Sequence, residues 1–321
     1  MNIYIAFGTT ALSLSLGLPH PFAEATRPMP RVASAEVTLA EALESETAQP
    51  LTVVTNASDL GLDLTTAATF IPEGLTTSGN PAEGSRGVIG EDNRVLMTSQ
   101  SFPWTAVGQI YGVKANGEAY TCTGALVAED IVLTNAHCVL NPDTGEFSQK
   151  IAFLPNLING RLVSDEDAAF AVDVLAGTSF VNQPNANADD WAFVKLDKPL
   201  GMKYGTLGMT SLSTAELAQA PFAENLVMVG YSGDFPAENP GQTASAHLGC
   251  SVLDEEDEMV LHVCDTYGGS SGGPILGEVD GEVRIVALNS AELKNRETGE
   301  GIVNLAVKIP RIVSQLNAME N

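Results

Sequence analysis

Cys264-Asp265-Thr266-Tyr267-Gly268-Gly269-Ser270-Ser271-Gly272-Gly273-Pro274 is the stretch from which the rest of the chain can be read. Glycines at 269, 272 and 273 flank Ser271, and glycine serves where a backbone must take positive φ or pass close to another group. A turn of that kind leaves the N–H groups of Gly269 and Ser271 unpaired and pointing the same way. Two such donors can hold the negative charge that develops on a carbonyl oxygen under attack, which is worth about 3 kcal/mol per donor. Ser271 is therefore a candidate nucleophile, with Gly269 and Ser271 as candidate oxyanion donors. A Gly/Ser loop is also a common inert turn, so the reading depends on partners elsewhere.

Two partners are present. Thr134-Asn135-Ala136-His137-Cys138 follows the apolar run Asp130-Ile131-Val132-Leu133, which places His137 at the end of a strand and beside a cysteine. Asp190-Trp191-Ala192-Phe193-Val194-Lys195-Leu196 sets a carboxylate at the mouth of a buried strand, where it can hold an imidazole by its second nitrogen. Each alone has a plainer reading, a packed histidine and a solvated acid. Together, in the chain order His, Asp, Ser, they form a candidate catalytic triad of His137, Asp190 and Ser271.

These residues bring the chain to a family. Cys-Thr-Gly-Ala-Leu-Val at 122–127, the Thr-x-Ala-His-Cys block, Asp-Trp-Ala at 190–192 and Gly-Ser-Ser-Gly-Gly-Pro at 269–274 resemble trypsin-like serine proteases. Among these the chain is similar to the bacterial secreted branch that includes glutamyl endopeptidases, over residues 88 to 321. The resemblance implies an all-β fold: two six-stranded antiparallel β-barrels, about 88–200 and 201–321, with the active site in the cleft between them. It also implies peptide-bond hydrolysis through an acyl-enzyme, with no cofactor and no metal. Two positions depart from the pattern. Asn135 replaces an alanine, expected to be a tolerated surface change, and Ser270 stands where animal trypsins carry an aspartate. By the same resemblance Asp265 lies at the base of the primary specificity pocket, with Ser290 and Glu292 along its wall. A buried carboxylate there favours cleavage after basic residues. Cleavage after glutamate is the alternative, although Asn289 occupies the place where the glutamate-specific relatives carry a histidine. A catalytically silent secreted binding module is the alternative of another class.

Composition narrows the partners. At 321 residues with 44% hydrophobic content the chain can bury a substantial core. A formal charge of −25 repels phosphates, which excludes nucleic acid and anionic membrane surfaces and favours cationic protein or peptide substrates. The four cysteines fall into two close pairs, Cys122 with Cys138 and Cys250 with Cys264, which suits disulfides in an oxidising compartment. A zinc site built from His247, Cys250, His262 and Cys264 is the rival reading.

Residues 1–25 read as a signal peptide, an apolar stretch closed by Ala23-Glu24-Ala25, so that the protein is secreted or periplasmic and has no membrane contact after cleavage. From 26 to 87 the texture turns to Ala, Thr, Ser, Pro and Glu. That composition buries little and reads as a largely unstructured propeptide before the domain that starts near Val88. Short apolar runs follow at 104–113, 119–127, 131–135, 151–154, 168–175 and 191–196, then at 226–230, 244–252, 259–264, 274–277, 283–288 and 302–307, a spacing of strands in a sandwich or barrel. The acidic run Asp254 to Glu258 lies between two of them as a hairpin tip. Ile309 to Asn317 closes the chain as a helix, with Pro310 in its first turn. The expected assembly is a monomer.

Overall fold

The computed structural model describes residues 25–26, 43, 51–62, 68–77, 92–181, 186–294 and 301–319. Residues 1–24 of the stretch expected as a signal peptide, and the segment around Arg86 to Val88, lie outside the described residues. Three short strands come first: β1 (Ala25–Thr26), β2 (Thr52–Val53) and β3 (Arg94–Leu96). Six strands then follow, β4 (Val107–Val113), β5 (Ala119–Ala128), β6 (Ile131–Thr134), β7 (Lys150–Pro155), β8 (Ala169–Ala176) and β9 (Ala192–Leu196). They pair in the order β8-β7-β4-β5-β6-β9, and β9 returns to β8, which closes the barrel. Continuous apolar runs rather than alternating ones are the mark of strands covered on both faces. Ile131 to Thr134 is buried at every position.

The second half contains β10 (Leu226–Gly230), β11 (Ser245–Cys250), β12 (Val252–Glu256), β13 (Met259–His262), β14 (Pro274–Val279), β15 (Glu282–Lys294) and β16 (Gly301–Lys308). Their order is β12-β13-β16-β15-β14-β10-β11-β3, and β1 lies against β15. The run expected as one strand at 244–252 is broken at Ser251 into β12, one end of the ladder, and β11, which lies beside β3 at the other end. The sheet therefore curls until its two end regions meet through one residue, whereas the first barrel closes by hydrogen bonds. The result is the chymotrypsin-like, mostly β architecture expected from the sequence.

Among the described residues the helices with defined bounds are α1 (Ala57–Leu60), α2 (Gly201–Tyr204), α3 (Thr214–Leu217) and α4 (Ile309–Met319). Helix α4 buries Ile309, Ile312 and Leu316, a three-and-four spacing that lines one face of the helix. The acidic run is strand for most of its length, since Asp254, Glu255 and Glu256 pair with β13 and only Asp257 and Glu258 form the tip, both at positive φ.

Residues before 88 bury more than their composition suggests. Strand β2 runs parallel to β8, and Leu43, Ala57, Leu60 and Leu62 join the main hydrophobic core. Lys195 Nζ donates to the Leu60 carbonyl at 2.8 Å. Farther along, Phe70 bridges to Thr206 and Thr77 to Phe102. Sparse apolar residues suffice here because the barrel wall supplies the other half of the contact.

Candidate active site

His137 occupies a single 3-10 turn, Ala136–Cys138, directly after β6, and the disulfide from Cys138 to Cys122 ties that turn to β5. Asp190 precedes β9, the neighbour of β6 in the barrel, so two adjacent strand ends present the two side chains. Their contact is close: His137 Nδ1 donates to Asp190 Oδ2 at 2.7 Å, and the His137 main-chain N–H donates to Oδ1 at 3.0 Å. A carboxylate only accepts, so Nδ1 carries the proton and Nε2 the lone pair. Ser290 Oγ also donates to Asp190 Oδ2, at 2.7 Å. Burial of Asp190 works to raise its pKa, but electrostatic attraction to the His137 imidazole and these hydrogen bonds outweigh it and hold the acid below the usual carboxylate range.

Ser271 comes from the other sheet, in the turn before β14. The Thr123 N–H of β5 donates to the Ser271 carbonyl at 2.8 Å, and Cys138 Sγ lies 3.7 Å from that same oxygen. Ser271 Oγ and His137 Nε2 are both buried, and neither has a hydrogen-bond partner among the described residues. Gly269 holds φ of +101°, and a Cβ there would stand 2.4 Å from the Tyr231 carbonyl, so only glycine fits. Its carbonyl is turned to Thr123 Oγ1, which donates to it at 2.8 Å. Among the described residues, no hydrogen bond engages the N–H of Gly269 or of Ser271.

The remaining sequence candidates fall in different places. Asp265 lies against the start of β3: its Oδ2 accepts the Asn93 N–H at 2.8 Å, and its own N–H donates to His247 Nδ1 at 2.7 Å. The same Nδ1 lies 3.2 Å from Oδ2. Both contacts cannot be hydrogen bonds of one nitrogen; the shorter one decides, and Nδ1 holds a lone pair toward the Asp265 N–H. Ser290 spends its hydroxyl on Asp190. Glu292 is half-buried on β15, opposite Asn304 of β16. Cys250 and Cys264 form a disulfide, and His262 Nδ1 accepts the Cys264 N–H at 3.3 Å. The zinc reading therefore lacks its thiolates.

Asn135 is a correction. It is fully buried, and its Nδ2 donates to the Asp190 carbonyl at 2.7 Å, so the residue expected at the surface supports the loop that carries the acid. Sequence reasoning also missed Thr123. Its hydroxyl links Tyr231, whose N–H donates to it at 2.9 Å, with Gly269, while its carbonyl accepts from Thr134 Oγ1 at 2.7 Å. The only signal was its place in the Cys-Thr-Gly motif. Asn289 donates from Nδ2 to the Ser270 carbonyl at 3.1 Å, and so braces the turn that carries Ser271.

Comparison with known proteins places this arrangement. A glutamyl endopeptidase of Bacillus licheniformis is 26% identical over 196 residues, covering 59% of this chain and 54% of the relative. Serine protease 23 of Bos taurus is 28% identical over 171 residues, covering 48% of this chain and 43% of the relative. The chain thus spans about half the length of these curated relatives. A solved structure described as Glu endopeptidase in complex with MPD superposes with a TM-score of 0.56 at 21% identity, covering 73% of this chain and 100% of that one. Protease Anisep from Arthrobacter nicotinovorans gives 0.55 at 20% identity, over 70% of this chain and 98% of that one. At such identities the likeness is one of fold. The chain belongs to the trypsin-like peptidases, for the family model of the trypsin-like peptidase domain matches residues 122–288, more than half of it, and that span contains His137, Asp190 and Ser271.

Proposed function

We propose that the protein is a secreted serine endopeptidase in which Ser271 is the nucleophile, His137 the general base and Asp190 its orienting acid. The observation that carries this reading is the line of hydrogen bonds from Ser290 to Asp190 to His137, which leaves Nε2 as the basic face of the imidazole. His137 Nε2 takes the Ser271 proton as Oγ bonds to the substrate carbonyl carbon, and the carbonyl electron pair moves onto oxygen, where the Gly269 and Ser271 N–H groups receive it. Collapse breaks the peptide bond, and the proton on His137 goes to the leaving amine. Water, deprotonated by His137, then releases the acyl group from Ser271. Asp190 stays ionised throughout.

Cleavage after Arg or Lys is the favoured preference. Asp265 Oδ2 is held by the Asn93 N–H, which leaves Oδ1 for a cationic side chain, and the charge of −25 attracts such substrates. Cleavage after glutamate is the second reading, favoured by His247 against Asp265 and by a relative named glutamyl endopeptidase. The chain is read as a signal peptide at 1–25, a propeptide at 26–87 severed by a cut near Arg86 to Val88, and a protease domain at 88–321, with a single copy of the chain in the active unit. The two disulfides fit an oxidising compartment, and no described helix is long and apolar enough to cross a membrane.

A fluorophosphonate should label Ser271 in the processed protein, and Ser271→Ala should remove both labelling and turnover, a loss of about 10⁴-fold or more. An unlabelled but folded protein would support the silent binding module instead. In the same preparation, otherwise identical peptides with Arg, Lys, Glu or Phe before the scissile bond decide the preference. Faster cleavage after Glu than after Arg ends the basic reading, while a selective loss of the Arg rate in Asp265→Ser supports it.

A further inference from the structure

Two serines stand side by side at 270 and 271, and the first is as buried as the second. Ser270 Oγ lies 2.7 Å from Ser232 Oγ, Ser232 Oγ lies 3.1 Å from Ser245 Oγ, and Ser245 Oγ donates to the Gly230 carbonyl at 3.1 Å. All three hydroxyls are at least 97% buried. The direction of this chain is fixed by its last member. A carbonyl only accepts, so the single proton of Ser245 goes to Gly230; Ser232 must then donate to Ser245, and Ser270 to Ser232. Every proton points away from Ser271. The approach that makes this possible needs glycine at 230, where a Cβ would stand 2.8 Å from the Ser270 Cβ.

The other polar atoms of Ser270 are occupied too. Its N–H donates to the Tyr267 carbonyl at 2.9 Å, and its carbonyl accepts from the Gly273 N–H at 2.9 Å and from Asn289 Nδ2 at 3.1 Å. Ser270 therefore sits between the Gly269 N–H and the Ser271 N–H with no freedom of its own. A residue whose side chain, N–H and carbonyl are all fixed also fixes the peptide planes on either side.

We propose that Ser232 and Ser245 are positioning residues that, through Ser270, hold the Ser271 N–H in oxyanion-binding orientation by an uncharged chain of hydroxyls, beside a Gly269 N–H whose own peptide plane is fixed by the Gly233 N–H donating to the Gly268 carbonyl at 2.7 Å. The proposal rests on the reading of Ser271 as nucleophile. Where the resembling animal enzymes place an aspartate that must be met by a cation, this chain closes its network internally, and the orientation needs neither a charge nor a chain terminus. Ser245 lies in β11 opposite Leu96 of β3, so the network ends on the rigid part of the sheet rather than on another loop.

The test uses the full chain, processed to its active form, with a peptide amide substrate and a peptidyl boronic acid as transition-state analogue. Ser232→Ala should lower kcat about tenfold with KM changed less than about twofold, a fraction of what outright loss of one oxyanion donor costs. Its boronate inhibition constant should rise by the same factor as kcat falls. The double variant S232A/S270A should lose no more than the worse single, because the hydroxyls act as one unit. Ser232→Thr, which keeps the hydroxyl, should recover most of the rate. Should Ser232→Ala fail to fold, Ser245→Ala carries the same test from the far end of the chain. Unchanged kcat in folded Ser232→Ala or Ser245→Ala, a loss confined to KM, or single losses that multiply in the double variant would overturn the proposal. Ser271→Ala separates the two readings. If it is inactive while Ser232→Ala matches wild type, only the positioning role falls; if it stays active, the nucleophile itself is wrong.

Discussion

His262 is fully buried at the end of β13, with Nδ1 accepting the Cys264 N–H. Desolvation lowers its pKa from 6.5 to about 4, a pull opposed more weakly by the Asn289 side chain and the Leu305 backbone and reinforced by His247. Unfolded, the imidazole gains a proton as pH falls through 6.5; folded, it gains one only near 4. Within that window the unfolded chain binds the extra proton, so stability present above pH 6.5 is lost on acidification, by about 3 kcal/mol in all. Urea midpoints measured from pH 7 to pH 4.5 should fall for wild type and fall less for His262→Phe; equal slopes would show that His262 does not titrate differently on folding. At this scale the sequence was legible where chemistry demands particular residue types. His137, Asp190 and the glycines around Ser271 could be picked out because few other residues do those tasks. Asn135, Thr123, Ser232 and Ser245 could not, because a buried polar side chain is identified by its partner, and the partners lie 13 to 146 positions away.

The element that most affects the site without touching it is α4. Its Gln315 accepts the Trp191 indole N–H at 2.6 Å and donates to the Gly177 carbonyl at 3.1 Å, while Arg311 donates to both Asp189 oxygens, at 2.6 and 3.1 Å. A helix at the end of the second half thereby brackets Asp190 on both sides in sequence. Gln315→Leu would leave a buried indole N–H unpaired, at a cost of about 1–3 kcal/mol. It should also lower kcat more than it raises KM, because the loop carrying the acid loses a support; a stability loss with kcat intact would mean that the helix serves the fold alone. The helix was expected from Ile309 to Asn317 and runs to Met319, since its apolar spacing is local information. Strand positions were legible for the same reason. The curl of the second sheet was not, because it arises from a one-residue break at Ser251 within a run whose alternation from Ala244 to Val252 continues through the break.

For the molecule as a whole, the main surprise is where the early residues go. Leu60 and Leu62 are built into the first barrel's core, each worth about 1.5–3 kcal/mol of burial, and β2 extends the edge of β8. Composition alone pointed to a segment that buries little, because composition counts a segment's own apolar residues and not the surface waiting for them. If the chain is cut near Arg86 to Val88 as proposed, residues 51–77 should stay bound. Size exclusion and native mass spectrometry of the processed protein should give an undiminished mass, and denaturing electrophoresis should give two fragments; a native mass reduced by the early fragment would contradict this. Such a cut changes the order of the unfolding reaction. Before it, folding is unimolecular and indifferent to protein concentration; after it, the native state is a heterodimer whose melting temperature rises with concentration and falls on dilution. The working lifetime of the processed form would then be set by how dilute its surroundings are.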